Sequence, residues 1–228
     1  MPGGFVTEVV RVGDTVRRQP ASSFVHRLLD HLADWPGAPR FLGLDEQGRE
    51  ILSFMDGVVP WQLPFRSPES LIGVARLVRE FHDRTAGTVL AGVEEVACHN
   101  DLSPKNTVYQ GERPVAFIDW DIAAPGVRIH DVAHVCWQYL GLGPTVTDIA
   151  ETAGLLRLIC DTYCEIDRTR LVDTILWWQD RCWRGIESAA ATGHPAMVRL
   201  RDAGVPAEVR AAHDWTARHR ATLDAALR

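Results

Sequence analysis

No stretch of this sequence holds the roughly 20 consecutive apolar residues that a helix needs to cross a bilayer, so a membrane-spanning role is not expected. Basic charge is not in excess either: Lys and Arg number 24 against 30 Asp and Glu, a formal net charge of −6 with His neutral. That balance argues against a general electrostatic attraction to nucleic acid or anionic lipid. Cysteine is sparse and odd in number, five in all, which does not suit a disulfide framework; free thiols in a reducing cytoplasm are expected. Cys160 and Cys164 stand four apart, but no second Cys/His pair lies near them at zinc-finger spacing, so they read as small helix residues. The opening Met1-Pro2-Gly3-Gly4 lacks the basic segment and apolar run of a secretory signal. Internal repeats and low-complexity tracts are lacking too. What remains is an ordinary globular composition, 46% hydrophobic and 24% charged over 228 residues, enough for one domain or one two-lobed unit with a sizeable core.

Residues 5–19 alternate apolar and polar around Gly13-Asp14 and predict a β-hairpin. Ser22 or Ser23 caps a helix running to about Asp34, with Phe24, Val25, Leu28, Leu29 and Leu32 on its apolar side and Trp35-Pro36-Gly37 as its end. Two short strands, Arg40–Leu44 and Glu50–Met55, follow around a turn at 45–48. Pro60 to Pro68 is a connector, and Ser67-Pro68-Glu69 starts a second helix whose Leu71, Val74, Ala75, Val78 and Phe81 share a face up to Gly87. Strands are predicted at Thr107–Gln110 and Pro114–Ile118. After Asp131 the chain reads as helix at roughly 131–140, 145–166, 168–192 and 206–227, with breaks at Gly143-Pro144, Gly193-His194-Pro195 and Gly204. A small β-rich front and a larger helical back make an α+β, two-lobed layout.

The chemistry concentrates in His99-Asn100-Asp101-Leu102-Ser103-Pro104-Lys105-Asn106 and Ile118-Asp119-Trp120-Asp121. Asp101 and Asn106 are five residues apart, and Asp119 follows thirteen later. Phosphoryl transfer needs a carboxylate near the acceptor hydroxyl and oxygen ligands for a divalent cation, and H-x-D-x-x-x-x-N, a strand and a second Asp supply them in kinase order. His130 and His134, also four apart, flank Asp131-Val132-Ala133. A zinc-hydrolase helix would need Glu beside the first His, so Asp131 is better read as a helix-start cap.

These segments resemble the aminoglycoside phosphotransferase and choline kinase-like family, which shares the protein-kinase fold. The resemblance rests on His99-Asn100-Asp101-Leu102-x-Pro104-x-Asn106, Ile118-Asp119-Trp120 and Asp131-Val132-Ala133, and covers nearly the whole chain. It implies a small antiparallel-sheet N-terminal lobe over residues 1–57, which binds nucleotide, and a larger, mainly helical C-terminal lobe over 58–228 for catalysis and acceptor binding. It further implies ATP or GTP and Mg²⁺ as cofactors and a small-molecule hydroxyl as acceptor, with no nucleic-acid or membrane partner. By residue, Asp101 would orient the acceptor hydroxyl or take its proton; Asn106 and Asp119 would hold Mg²⁺. His99 would bond backbone near Asp119, Asp131 would brace the loop, and the backbone around Ser53 and Met55 would bond adenine.

The front lobe departs from the family pattern. With Gly3-Gly4 where a phosphate-covering glycine loop or simply a loose end would fall, the front lobe is expected to lack its first strand. Where the family keeps a phosphate-gripping lysine this chain has Thr15-Val16-Arg17-Arg18, and alternation turns only Arg17 or Arg18 toward the ligand. The following helix has no glutamate to pair with that cation, leaving His26 or Asp30. Asp121 stands where protein kinases keep a glycine; it would touch a second metal or cap a turn. Lys105 either meets the phosphate or acceptor or stands in solvent. Four acidic residues between 141 and 166 (Asp148, Glu151, Asp161 and Glu165) face Arg157 alone, which suits a polycationic acceptor such as an aminoglycoside or else an ordinary solvated helix face. Trp137, Trp177, Trp178 and Trp183 offer either a stacking surface or core. The reading these features support is an ATP- and Mg²⁺-dependent phosphotransferase acting on a small molecule such as an aminoglycoside or another antibiotic. The alternative is a kinase-like binding or immunity protein without turnover.

Overall fold

The two glycines and the first residues of the predicted hairpin, Phe5 and Val6, lie outside the part of the chain that the computed structural model describes, residues 9–60 and 67–228. The hairpin itself forms from β1 (Val10–Val12) and β2 (Thr15–Arg18), turning at Gly13 with φ 59°. β3 (Phe41–Leu44) and β4 (Glu50–Ser53) complete an antiparallel sheet ordered β1-β2-β4-β3. β2 pairs β4 with Arg18 directly opposite Glu50, and residues opposed in this way project to the same face.

Between β2 and β3 runs α1 (Ser23–His31), capped by Ser22, whose Oγ accepts from Val25 N at 3.4 Å. Its buried Val25, Leu28 and Leu29 follow the predicted stripe, and each contributes about 1.5–3 kcal/mol by leaving water. The chain then folds back under the Trp35 indole at Gly37, where a Cβ would fall 2.1 Å from the ring. Gly37 O accepts from Phe117 N at 2.8 Å, bonding the front of the chain to residues eighty positions later.

α2 (Pro68–Thr85) begins as its sequence dictates: Ser67 Oγ accepts from Ser70 N at 3.3 Å, Pro68 takes the first turn and Glu69 meets the positive end of the helix. β5 (Val96–Cys98) pairs β8 (Ala124–Gly126), and β6 (Thr107–Gln110) pairs β7 (Arg113–Phe117). These two ribbons suspend the functional loops: 99–106 leaves β5 and enters β6, while 118–123 leaves β7 and enters β8. The β5–β8 pair was not anticipated, because three-residue strands, one of them wholly buried, carry no readable alternation.

α3 (Arg128–Leu140) leads into α4 (Ile149–Tyr163), α5 (Leu171–Ala191), α6 (Pro195–Asp202), α7 (Val205–Arg218) and α8 (Arg220–Leu227). α5 packs against α6 and α7, and α4 against α8. The helix expected over 145–166 starts later, where Asp148 Oδ1 accepts from Glu151 N at 2.9 Å, and ends at Cys164 with φ 78°. The helix expected over 206–227 breaks at His219, whose Nδ1 bonds Trp215 O at 2.8 Å; no Gly or Pro announces that break. By compactness the chain divides into Met1–Asp131 and Val132–Arg228, so the anticipated boundary at 57/58 lies inside the first unit. Among the described residues no helix is long and apolar enough to cross a membrane, and no disulfide joins any two of the five cysteines.

Candidate active site

The 99–106 loop is held from below by Asp131. Its carboxylate, fully buried, accepts from His99 N at 2.7 Å and Asn100 N at 2.8 Å, and pairs with His82 Nε2 at 3.1 Å. Burial alone would disfavour its charge, but the His82 side-chain contact and the His99 backbone N–H win, and the Asp131 carboxyl lies below the ordinary carboxylate range. His82, Cys98 and Asp131 bring potential ligand atoms within 4.8 Å of one another, but Asp131 already spends both oxygens on N–H donors. The cluster is a brace.

His99 ties the two loops together. Its Nε2 donates to Ile118 O at 3.1 Å, and its Nδ1 accepts from Asp101 N at 3.3 Å. One nitrogen donating and the other accepting is the bonding of a neutral ring, and burial pushes its pKa down against the pull of Asp131, Asp101 and Asp119. Asn100 adds a second tie, donating from Nδ2 to Ile122 O at 3.0 Å. Asn100 (φ 66°) and Asp119 (φ 65°) both adopt the left-handed region, which Asn and Asp tolerate better than other side chains. The two loops, separated by the β6–β7 hairpin, are thereby cross-linked just before Asp101 and on either side of Asp119.

Asn106 Nδ2 donates to both Asp101 O (2.9 Å) and Asp101 Oδ2 (2.8 Å). With its nitrogen spent there, Oδ1 is the atom of Asn106 that can act as a ligand. Lys105 Nζ lies 3.6 Å from Asp101 Oδ2 on an exposed side chain, so it is both solvent-facing and paired.

Register chooses between the two arginines. Arg18, buried and opposite Glu50, has Nε 2.8 Å from Glu50 Oε1 and Nη1 3.0 Å from Asp119 Oδ1; its Nη2 pairs with Asp121 Oδ1. Arg17 turns the other way, to Thr15 Oγ1 at 2.6 Å and toward Asp45. Glu50 was missed by the sequence reading, which sought the partner of the cation in the helix. It is in turn held by His26 Nε2 at 2.8 Å and Ala21 N at 3.0 Å, and His26 stacks on Phe41. Asp30, the other substitute considered, is exposed. The signal that finds Glu50 is the β2–β4 register, which opposes it to Arg18.

At the expected hinge, Ser53 Oγ accepts from Arg40 N at 2.8 Å, Ser53 N donates to Arg40 O, and Phe54 N donates to Asp14 O. Ser53 is thus committed to the sheet, and Met55 is the half-buried residue that follows. In the second unit, Asp148 caps α4 and Asp161 pairs with Arg168 and Arg157, so both have local work. Trp137 and Trp178 are buried against His134, Trp177 is exposed, and Arg184 and Arg210 cover the Trp183 ring. Cys160 is buried and Cys164 exposed, so the two do not form a pair.

A family model described as the phosphotransferase enzyme family matches residues 74–171, the span that contains both loops. The trifolitoxin immunity protein of Rhizobium leguminosarum bv. trifolii is 32% identical over an alignment of 264 residues that takes in 100% of this chain and 97% of that protein. The chain belongs to the aminoglycoside phosphotransferase and choline kinase-like family. Among solved structures, a choline/ethanolamine kinase family protein from Mesorhizobium loti has a TM-score of 0.62 at 18% identity, covering 99% of this chain and 90% of that one. Amicoumacin kinase in complex with AMP-PNP, Ca²⁺ and Ami has a TM-score of 0.60 at 10% identity, covering 86% and 88%. At those identities the likeness speaks to the fold, which is the two-lobed protein-kinase-like α+β fold, with a small antiparallel sheet in front and a mainly helical remainder.

Proposed function

We propose that this chain transfers the γ-phosphate of ATP or GTP, with Mg²⁺, to a hydroxyl of a small molecule in the cytoplasm, an aminoglycoside or another hydroxylated antibiotic being the acceptor class. The observation that carries the reading is the Asp101–Asn106 contact: one amide nitrogen fixes the Asp101 carboxylate and presents Oδ1 on its other side. Asp101 is then placed to orient the acceptor hydroxyl and take its proton. Asn106 Oδ1 and Asp119, joined by Asp121, are oxygen donors of the kind a hard divalent cation prefers. These residues would hold Mg²⁺, which when bound supplies charge neutralisation at the β- and γ-phosphate oxygens. Arg18 is the cation on the ligand side of the sheet and suits phosphate oxygens bidentately; Arg17 points to Asp45. With Ser53 N and Phe54 N engaged elsewhere, Met55 carries the backbone contact proposed for adenine. His99 and Asp131 keep the two loops in register.

A second reading, a kinase-like immunity protein that binds without turnover, is favoured by the relative named for trifolitoxin immunity. One experiment separates the two: nucleotide consumption with Mg²⁺ across aminoglycosides, other hydroxylated antibiotics and small alcohols, together with thermal shifts. Consumption with one acceptor class, lost in Asp101→Ala at unchanged melting temperature, supports transfer. Retained phosphorylation in Asp101→Ala refutes the role of Asp101, and a thermal shift with no consumption across the panel supports binding alone.

A further inference from the structure

Arg18 is anchored at one end and loosely held at the other. Its Nε lies 2.8 Å from Glu50 Oε1, an ion pair without an aligned N–H bond, on a side chain only 2% exposed, whereas its two terminal nitrogens bond Asp119 and Asp121, which are 48% and 38% exposed. Glu50 cannot follow the guanidinium, because Ala21 N and His26 hold its other oxygen. Asp119 and Asp121 by contrast sit on a loop facing solvent, where an ion pair is weak and open to exchange. Two nitrogens thus bond two carboxylates while the guanidinium charge pairs with a third. A lysine, with one ammonium, is a compact point charge and does not span them.

Building on the phosphotransferase reading above, we propose that the Arg18 guanidinium and a divalent cation compete for the same oxygens of Asp119 and Asp121, with Glu50 as the pivot on which Arg18 turns from those carboxylates to the nucleotide phosphates. Two cations on one pair of carboxylates repel each other, so a divalent ion entering between Asp119 and Asp121 displaces the Nη groups. Phosphate oxygens offer the displaced fork an equivalent bidentate partner. Cation entry and the turn of Arg18 become a single exchange, and linkage makes it reciprocal: whatever draws Arg18 away raises affinity for the cation, and the cation raises the availability of Arg18. The same exchange gives one reason for an arginine where the family keeps a lysine: it supplies a second arm, and Asp121 supplies the carboxylate that arm reaches.

The test is binding of Mn²⁺ alone, followed by electron paramagnetic resonance on the full chain without nucleotide, so that turnover plays no part. Arg18→Gln should bind Mn²⁺ at least tenfold more tightly than wild type, and Asp119→Asn or Asp121→Asn in that background should cancel the gain. Arg17→Gln removes the same charge one residue away and should stay within about twofold of wild type. Arg18→Lys, which keeps a cation opposite Glu50 but frees one carboxylate, should gain a few fold and decides the matter if Arg18→Gln does not fold. Unchanged or weaker Mn²⁺ binding in Arg18→Gln overturns the proposal. So does an equal gain in Arg17→Gln, or a gain that survives loss of Asp119 and Asp121. Titration with Mn²⁺–ATP and Mn²⁺–GTP distinguishes the two levels of failure. Nucleotide complexes that bind while the arginine variants behave alike sink the exchange only, and failure of every form to bind either removes the phosphotransferase reading as well.

Discussion

Replacing Asp131 by Asn keeps the size of the side chain and removes its charge, at a position with no exposure to water. The carboxylate meets three donors, His99 N, Asn100 N and His82 Nε2, at 2.7, 2.8 and 3.1 Å. The amide turns one acceptor into a donor, so one N–H partner is left unsatisfied and the remaining bonds lose charge assistance. A hydrogen bond to a charged group is worth about 1.5–3 kcal/mol and a buried unsatisfied donor costs about 1–3 kcal/mol, so a loss of about 4 kcal/mol is expected. For a chain of this size that is a fall of about 8–16 °C in melting temperature. The pH dependence has a definite sign. The folded carboxyl is depressed below its ordinary value, chiefly because the His82 and His99 contacts outweigh burial, so its stabilisation is fully present above about pH 4 and is lost as pH falls through the folded value. Calorimetry and urea unfolding from pH 3 to 7 should show a steep acid limb for wild type and a flatter one for Asp131→Asn. A melting temperature within 2 °C of wild type at pH 7, or an acid limb of the same steepness, refutes the bracing role.

Two further outcomes follow from the packing. Gly57 has φ 146° and its Cβ would lie 2.5 Å from Tyr109 O, beside the Val58–Tyr109 bridge; Gly57→Ala should cost about 2 kcal/mol, read by urea unfolding, and an unchanged midpoint would show that the crossing yields easily. Of the five thiols, Cys164 is exposed and Cys98, Cys136 and Cys160 are buried; burial and Asp131 raise the Cys98 thiol, and the Cys160 contact with burial raises Cys136. A disulfide reagent at neutral pH should label Cys164 first, and Cys164→Ser should remove that fast phase; a fast phase that persists would point to Cys182 or to local opening.

The helices were the most legible part of the chain, because their evidence is local. Ser22 and Ser67 cap, Pro68 fills a first turn, and Leu71, Val74, Val78 and Phe81 repeat on one face, all within a few residues of one another. The spacing of Asp101, Asn106 and Asp119 was equally readable, since a loop and a hairpin of set length must separate them. Where a helix breaks without Gly or Pro, as at His219, or a strand is three buried residues long, as at β5, the local pattern carries no mark and tertiary contacts decide.

The sequence by itself determined the order of the parts: a hairpin, a helix, two strands, a second helix, a loop with Asp101 and Asn106, a hairpin, Asp119, and then helices. It also determined that just one of Arg17 and Arg18 could face the ligand, since alternation in a strand leaves no other choice. Only the tertiary structure decided which. The β2–β4 register sets Arg18 opposite Glu50, thirty-two positions away, and folding of the 118–123 loop brings Asp119 and Asp121 to the other end of the same guanidinium. A charge pair of this kind depends on strand pairing and loop closure over long separations, and no short-range pattern encodes either.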